Sequence, residues 1–161
     1  MNTQSIPNSQ SRSPALAALR ALPQVILSSP PAWAKANMTG TRAQGRAYEN
    51  KVGEFLHARC KEHNWKLWDH QWFVFSAEGK RTHFQPDFII EKKSGNLLIE
   101  TKLTYLDTTE QINRYLYFLD LFGLTCSPVT IVKNLTPFIP KDRLVRQFSD
   151  ITHNSVFHLW L

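Results

Sequence analysis

The chain has 161 residues, 19 Lys and Arg against 13 Asp and Glu, and a net charge of +6; 42% of it is apolar, with 10 Phe and 5 Trp. That is enough for one domain with a buried core. It excludes whole-chain disorder, which needs few aromatics, and with only 6 Gly it excludes a collagen-like chain. No apolar stretch is long enough for a transmembrane helix. Cys60 and Cys126 are the 2 cysteines, too few for a disulfide framework or a four-thiolate zinc site. They read as reduced thiols of a cytoplasmic protein.

Residues 1–40 hold three bases (Arg12, Arg20, Lys35) and no acid, and are rich in Ser, Pro and Asn. They read as a basic arm, free to order in part against the domain, with a short helical piece at Ala15–Leu22 that Pro23 stops. From residue 41 to 161 the pattern is globular. Residues 41–62 fit an amphipathic helix with Tyr48, Val52, Phe55 and Leu56 on one stripe. Strand signals follow at Trp68–Phe75, at Phe88–Glu91 after a turn at Glu78-Gly79, and at Leu97–Leu103. A second helix fits residues 108–122, capped by Asp107 or Thr108 and ended by Gly123. Pro128–Lys133 reads as a buried strand, residues 141–149 as a short helix and Val156–Trp160 as a last strand. The order predicts an α/β domain with a mixed sheet. The strand after the second helix is free to lie parallel to the strand before it.

The chemistry concentrates in Pro86-Asp87-Phe88-Ile89-Ile90-Glu91 and Asn96-Leu97-Leu98-Ile99-Glu100-Thr101-Lys102. A hairpin with a four-residue loop at 92–95 sets Glu91 opposite Asn96, and therefore Asp87 opposite Glu100. Paired residues share a side of the sheet with Cβ atoms about 4.5–5.5 Å apart, and Lys102 shares that side with Glu100, about 6.7 Å further on. Two facing carboxylates in apolar surroundings repel unless a cation lies between them. A hard divalent ion with oxygen ligands, Mg²⁺, suits that arrangement. A lysine beside it suits phosphoryl chemistry, where it stabilises developing charge or orients and deprotonates the attacking water. The competing reading is an ordinary acid–lysine pairing on a solvated sheet face.

These residues, Pro86-Asp87 followed after twelve residues by Glu100-Thr101-Lys102, resemble the PD-(D/E)xK nuclease superfamily, in particular its Holliday junction resolvase-like and phage nuclease branch. Gly45-Arg46-Ala47-Tyr48-Glu49 looks like that branch's first-helix motif, a Gly followed four residues later by Glu. The resemblance covers residues 41 to about 133 and implies a restriction-endonuclease-like α/β core, αβββαβ, with a central mixed sheet flanked by helices. It implies Asp87 and Glu100 as metal ligands, the Thr101 backbone carbonyl as a third, Lys102 as the catalytic lysine and Glu49 as a further acid assisting the metal site. Gln111, opening the second helix, corresponds to a polar residue that many members place near the site; it reads equally as a first-turn polar residue. On the helical wheel Glu49 falls about 20° beyond Leu56, at the rim of the buried stripe, whereas Glu54 points to solvent.

The implied activity is Mg²⁺-dependent hydrolysis of DNA phosphodiester bonds, with Mn²⁺ tolerated. The setting is structure-selective recombination, repair or phage DNA processing in the cytoplasm of a bacterial or phage-infected cell. Two rivals are a nucleic-acid-binding module that keeps the nuclease fold without cutting, and an assembly protein whose basic arm binds a partner. The six histidines show no metal-ligand spacing and read as surface or packing residues, with His83 a weak phosphate-contact candidate. Trp65, Trp68, Trp72 and Phe73 read as core or as base-stacking residues, with only one of Trp72 and Phe73 facing inward. Lys80-Arg81 in a turn and Lys92-Lys93 in the hairpin loop are candidate DNA-backbone contacts or plain turn residues. The apolar residues 115–122 fit a homodimer face or burial against the sheet equally well.

Overall fold

The computed structural model describes residues 24–27, 29–34, 40–77, 79–104, 106–134, 144–145 and 157–160. The described elements are β1 (Gln24–Leu27), a single 3-10 turn at Ala32–Ala34, α1 (Thr41–His63), β2 (Lys66–Asp69), β3 (Trp72–Ala77), β4 (Lys80–Phe84), β5 (Phe88–Glu91), β6 (Asn96–Thr104), α2 (Thr109–Leu121), β7 (Cys126–Asn134), β8 (Leu144–Val145) and β9 (Phe157–Trp160). They build an α/β structure with two sheets. One has six strands in the order β2-β5-β6-β7-β9-β8; the other has three in the order β1-β3-β4. The larger sheet is mixed: β2, β5 and β6 run antiparallel, and β6, β7, β9 and β8 run parallel.

Strand alternation explains the layering. On one face Phe88, Ile90, Leu97, Ile99, Val129 and Ile131 pack under the α1 stripe of Tyr48, Val52, Leu56 and Cys60. On the other, Ile89 and Leu98 meet Ile112 and Leu119 of α2, together with Phe73, Phe75 and Phe84 of the small sheet. α1 approaches closely: a Cβ on Gly53 would stand 3.3 Å from the Phe88 ring. The apolar residues of α2 are largely accounted for by this packing, and Tyr117 is left exposed.

The hairpin forms in the expected register, Phe88 opposite Ile99, Ile89 opposite Leu98 and Ile90 opposite Leu97. β7 lies parallel to β6, as the helical crossover allows. Phe73 is fully buried and Trp72 only half-buried.

Three expectations are corrected. The single strand Trp68–Phe75 is two strands in different sheets, β2 paired with β5 and β3 paired with β1 and β4. The chain turns between them at His70, whose φ of 48° lies in the left-handed region. Lys80 and Arg81 are not turn residues; they open β4, opposite Ala77 and Ser76. Within the expected helix 141–149, Leu144–Val145 instead form β8, parallel to β9; its other residues, and Ala15–Leu22, lie outside the described residues. β1 also carries the small sheet into the arm, since Gln24–Leu27 pair along Trp72–Phe75.

Candidate functional site

Asp87 sits one residue before β5, next to the buried Pro86, and its carboxylate is held by β6. Thr101 donates to Asp87 Oδ2 twice, from its backbone N–H at 2.7 Å and from its hydroxyl at 2.8 Å. Glu100, the neighbouring residue of β6, is 1% exposed. Its Oε2 accepts from Gln111 Nε2 of α2 at 3.2 Å and lies 3.6 Å from Lys102 Nζ. Its Oε1 is buried with no hydrogen-bond partner. Burial and the adjacent Asp87 charge push the Glu100 carboxyl up to about 8, against the opposing Lys102 ammonium. Burial and the Glu49 charge likewise raise Asp87, against the two Thr101 donors.

α1 supplies the other side. Glu49 accepts from Arg46 Nη1 at 2.8 Å and lies 3.3 Å from His70 Nε2. Burial would raise its pKa, but the His70 and Arg46 hydrogen bonds outweigh it and hold Glu49 below the ordinary range. His70 is fixed through its backbone, because its N–H donates to the Asp87 carbonyl at 2.9 Å and its carbonyl accepts from Gln85 Nε2 at 2.7 Å. Its Nδ1 pairs with Asp69, and Asp69 in turn lies 3.1 Å from His57 Nε2. Burial would lower the His70 pKa; the Glu49 and Asp69 carboxylates prevail and raise it. Glu49, His70 and Asp87 each offer one ligand atom, and all three atoms lie within 4.8 Å of one another.

The structure thus gathers five predicted site residues, Glu49, Asp87, Glu100, Lys102 and Gln111, from α1, the β5–β6 hairpin and α2. The sixth, Thr101, enters through its N–H and hydroxyl. His70 was set among the packing residues by its spacing, and belongs here instead. The polar triplet Asp69-His70-Gln71 interrupting an aromatic run was the available signal. His83 lies apart, edge-on to Trp33. Lys92 lies over Trp65.

Compared with known proteins, the chain matches no family model, no curated protein and no solved structure.

The donor set fits a divalent cation. Asp87 and Glu100 offer carboxylate oxygens, one of them orphaned in the interior, and Glu49 and His70 stand ready beside Asp87. An unpartnered carboxylate oxygen away from water costs free energy that a cation offsets. The site opens on two sides. Asp87, Glu49 and His70 line a cavity of about 390 Å³ with Arg42 and Arg46, and Lys102 lines another of about 760 Å³ with Lys51 and Lys133. Cationic side chains therefore line both cavities beside the carboxylates. No helix among the described residues is long and apolar enough to cross a membrane.

Proposed function

We propose that the protein is a divalent-metal-dependent nuclease of the PD-(D/E)xK type, hydrolysing phosphodiester bonds in DNA. The observation that carries this reading is the buried Glu100 carboxylate, with one oxygen unpartnered, beside Asp87 and Lys102. The succession α1, β2, β5, β6, α2, β7, read without the inserted pair β3–β4, supports a restriction-endonuclease-like core. Recombination, repair or phage DNA processing is the expected setting.

Asp87 and Glu100 would hold Mg²⁺ or Mn²⁺, and Glu49 and His70, whose ligand atoms lie within 4.8 Å of that of Asp87, would be further candidates to hold it. The ion would act as a Lewis acid and neutralise charge on the phosphoryl oxygens. The protein's own residues arrange the rest. The two Thr101 donors fix Asp87, and Gln111 fixes Glu100, so neither carboxylate must reorganise during the reaction. The Lys102 ammonium is held against Glu100, placed to orient the attacking water and stabilise charge on the phosphate. Arg42 and Arg46 stand where a flanking phosphate would be drawn in. A water attacks phosphorus in line and releases a proton to solvent, the P–O bond to the leaving sugar oxygen breaks, and that oxygen takes up a proton from solvent.

The test is cleavage of branched, linear and single-stranded DNA with Mg²⁺ or Mn²⁺, by wild type and Lys102→Ala. Wild type should cut at least one form. The variant should be slower by about 10²–10³-fold, the scale of one lost charge-stabilising donor. Survival of every DNA form in the presence of the wild-type protein and either metal rejects the reading.

A further inference from the structure

A second feature adjoins the carboxylates and is not used by the chemistry above. Trp33, on the 3-10 turn, is a large aromatic residue left 65% exposed. It stands edge-on to Trp72 at 5.3 Å and to His83 at 5.6 Å between ring centroids. With Arg114, Tyr115 and Phe118 of α2 these residues line a cleft of about 530 Å³, within the roughly 300–1,000 Å³ range of ligand sites.

The cleft adjoins the site. Trp72 and Gln85 line both this cleft and the cavity holding Glu49, His70 and Asp87. From α2, Gln111 Nε2 donates to Glu100 Oε2 at 3.2 Å and reaches the Tyr115 hydroxyl at 3.5 Å. Within the cleft Phe84 packs on Phe118 at 5.1 Å and on Tyr115 at 5.9 Å between ring centroids. Among the described residues lining it, Arg114 is the one charged side chain, a cation that also lies 3.3 Å from the exposed Glu110.

We propose that this cleft receives an unpaired nucleobase of the strand whose phosphate lies at the carboxylates, so that the protein selects single-stranded nucleic acid or a single-stranded segment. The proposal rests on the nuclease reading for the placement of the phosphate. Aromatic walls offer a base its stacking partner, and a guanidinium offers a neighbouring phosphate its counter-charge. A base in an intact duplex has both faces covered and must be unstacked first, at a cost of free energy. Stacking is indifferent to base identity, so little sequence preference is expected.

The experiment measures binding without cleavage, in EDTA, by fluorescence anisotropy of labelled 12-residue oligothymidylate, oligouridylate and a 12-base-pair blunt duplex. Full-length wild type, Trp33→Ala and Trp33→Phe are compared, with circular dichroism melts to show that each variant folds. Wild type should bind a single strand at least about tenfold tighter than the duplex. Trp33→Ala should lose about five- to 150-fold for single strands, the range for one base–aromatic stack, with little change for the duplex, and Trp33→Phe should restore most of it. Equal affinity for single strand and duplex, or Trp33→Ala binding like wild type, overturns the proposal and leaves the nuclease reading standing. Trp33-dependent binding of single strands by a protein that cuts nothing with Mg²⁺ or Mn²⁺ rejects the nuclease reading and leaves the cleft standing.

Discussion

Glu100 is the one charged residue among the described residues that is buried almost completely, and it sets a pH dependence of stability. Its folded pKa of about 8 lies above its ordinary value of 4.5 because of burial and Asp87. Between those values the folded chain keeps a proton that the unfolded chain has released. The folded state therefore binds more protons, and unfolding free energy falls as pH rises through the window. The raised Asp87 adds in the same direction, and so does His70, whose raised pKa stabilises the fold below its unfolded value and loses that contribution as pH rises. Urea melts of metal-free protein from pH 5 to 8.5 should show this decline. Glu100→Gln should flatten part of it, and Mn²⁺ at pH 8 should restore stability to wild type but less to the variant. A variant whose profile parallels wild type would rule out Glu100 as the source. The pairing behind this was readable in advance: a four-residue loop fixes the register, and the register sets Asp87 against Glu100. His70 left only the faint signal of a polar triplet in an aromatic run. It lies 21 residues from Glu49 and 17 from Asp87, and tertiary bonds bring it in, from its N–H to the Asp87 carbonyl and from Gln85 to its own carbonyl.

α1 was legible by its periodicity, α2 by its cap residues and the closing Gly123, and β7, buried on both faces, by its apolar run. β4 hid because Lys80-Arg81-Thr82-His83 carries an ordinary polar surface and only Phe84 is fully buried. The break between β2 and β3 hid because aromatic residues flank it on both sides, and what decides it is pairing with two different sheets, which local pattern does not encode. α1 comes close to the sheet at Gly53. Gly53 is buried in mid-helix, where glycine costs about 1 kcal/mol relative to Ala, yet a Cβ there would press on Phe88 at 3.3 Å. Phe88 adjoins Asp87, so the helix–strand spacing also sets the distance from Glu49 to Asp87. Gly53→Leu should destabilise by about 1–3 kcal/mol, the scale of overpacking. It should also weaken Mn²⁺ binding by calorimetry, because Glu49 is carried outward with α1. A variant with wild-type stability and metal affinity would show that this spacing is not what positions the acid.

At the scale of the whole molecule the sequence divides at residue 40 into a basic arm and a domain, whereas backbone pairing crosses that line. β1 pairs through four residue positions with β3, which is the middle strand of the small sheet. That sheet in turn covers α2 through Phe75 and Phe84 against Phe118, and Trp33 follows β1 onto the edge of the site. A short strand inside a Ser- and Pro-rich stretch gives too little period to be seen, since four residues alternate only twice. Residues 41–161 alone should therefore fold less stably than the full chain, by about 1–4 kcal/mol if each lost cross-strand pair contributes a few tenths to 1 kcal/mol. They should also self-associate, because β3 would present an unpaired edge carrying Phe73, Val74 and Phe75. Denaturant melts and sedimentation velocity of both lengths check this. Restoring residues 24–40 should recover the monomeric distribution and the lost stability together. A 41–161 fragment that melts with the full chain and sediments like it would show that the arm is separable and that β1 contributes nothing to the fold.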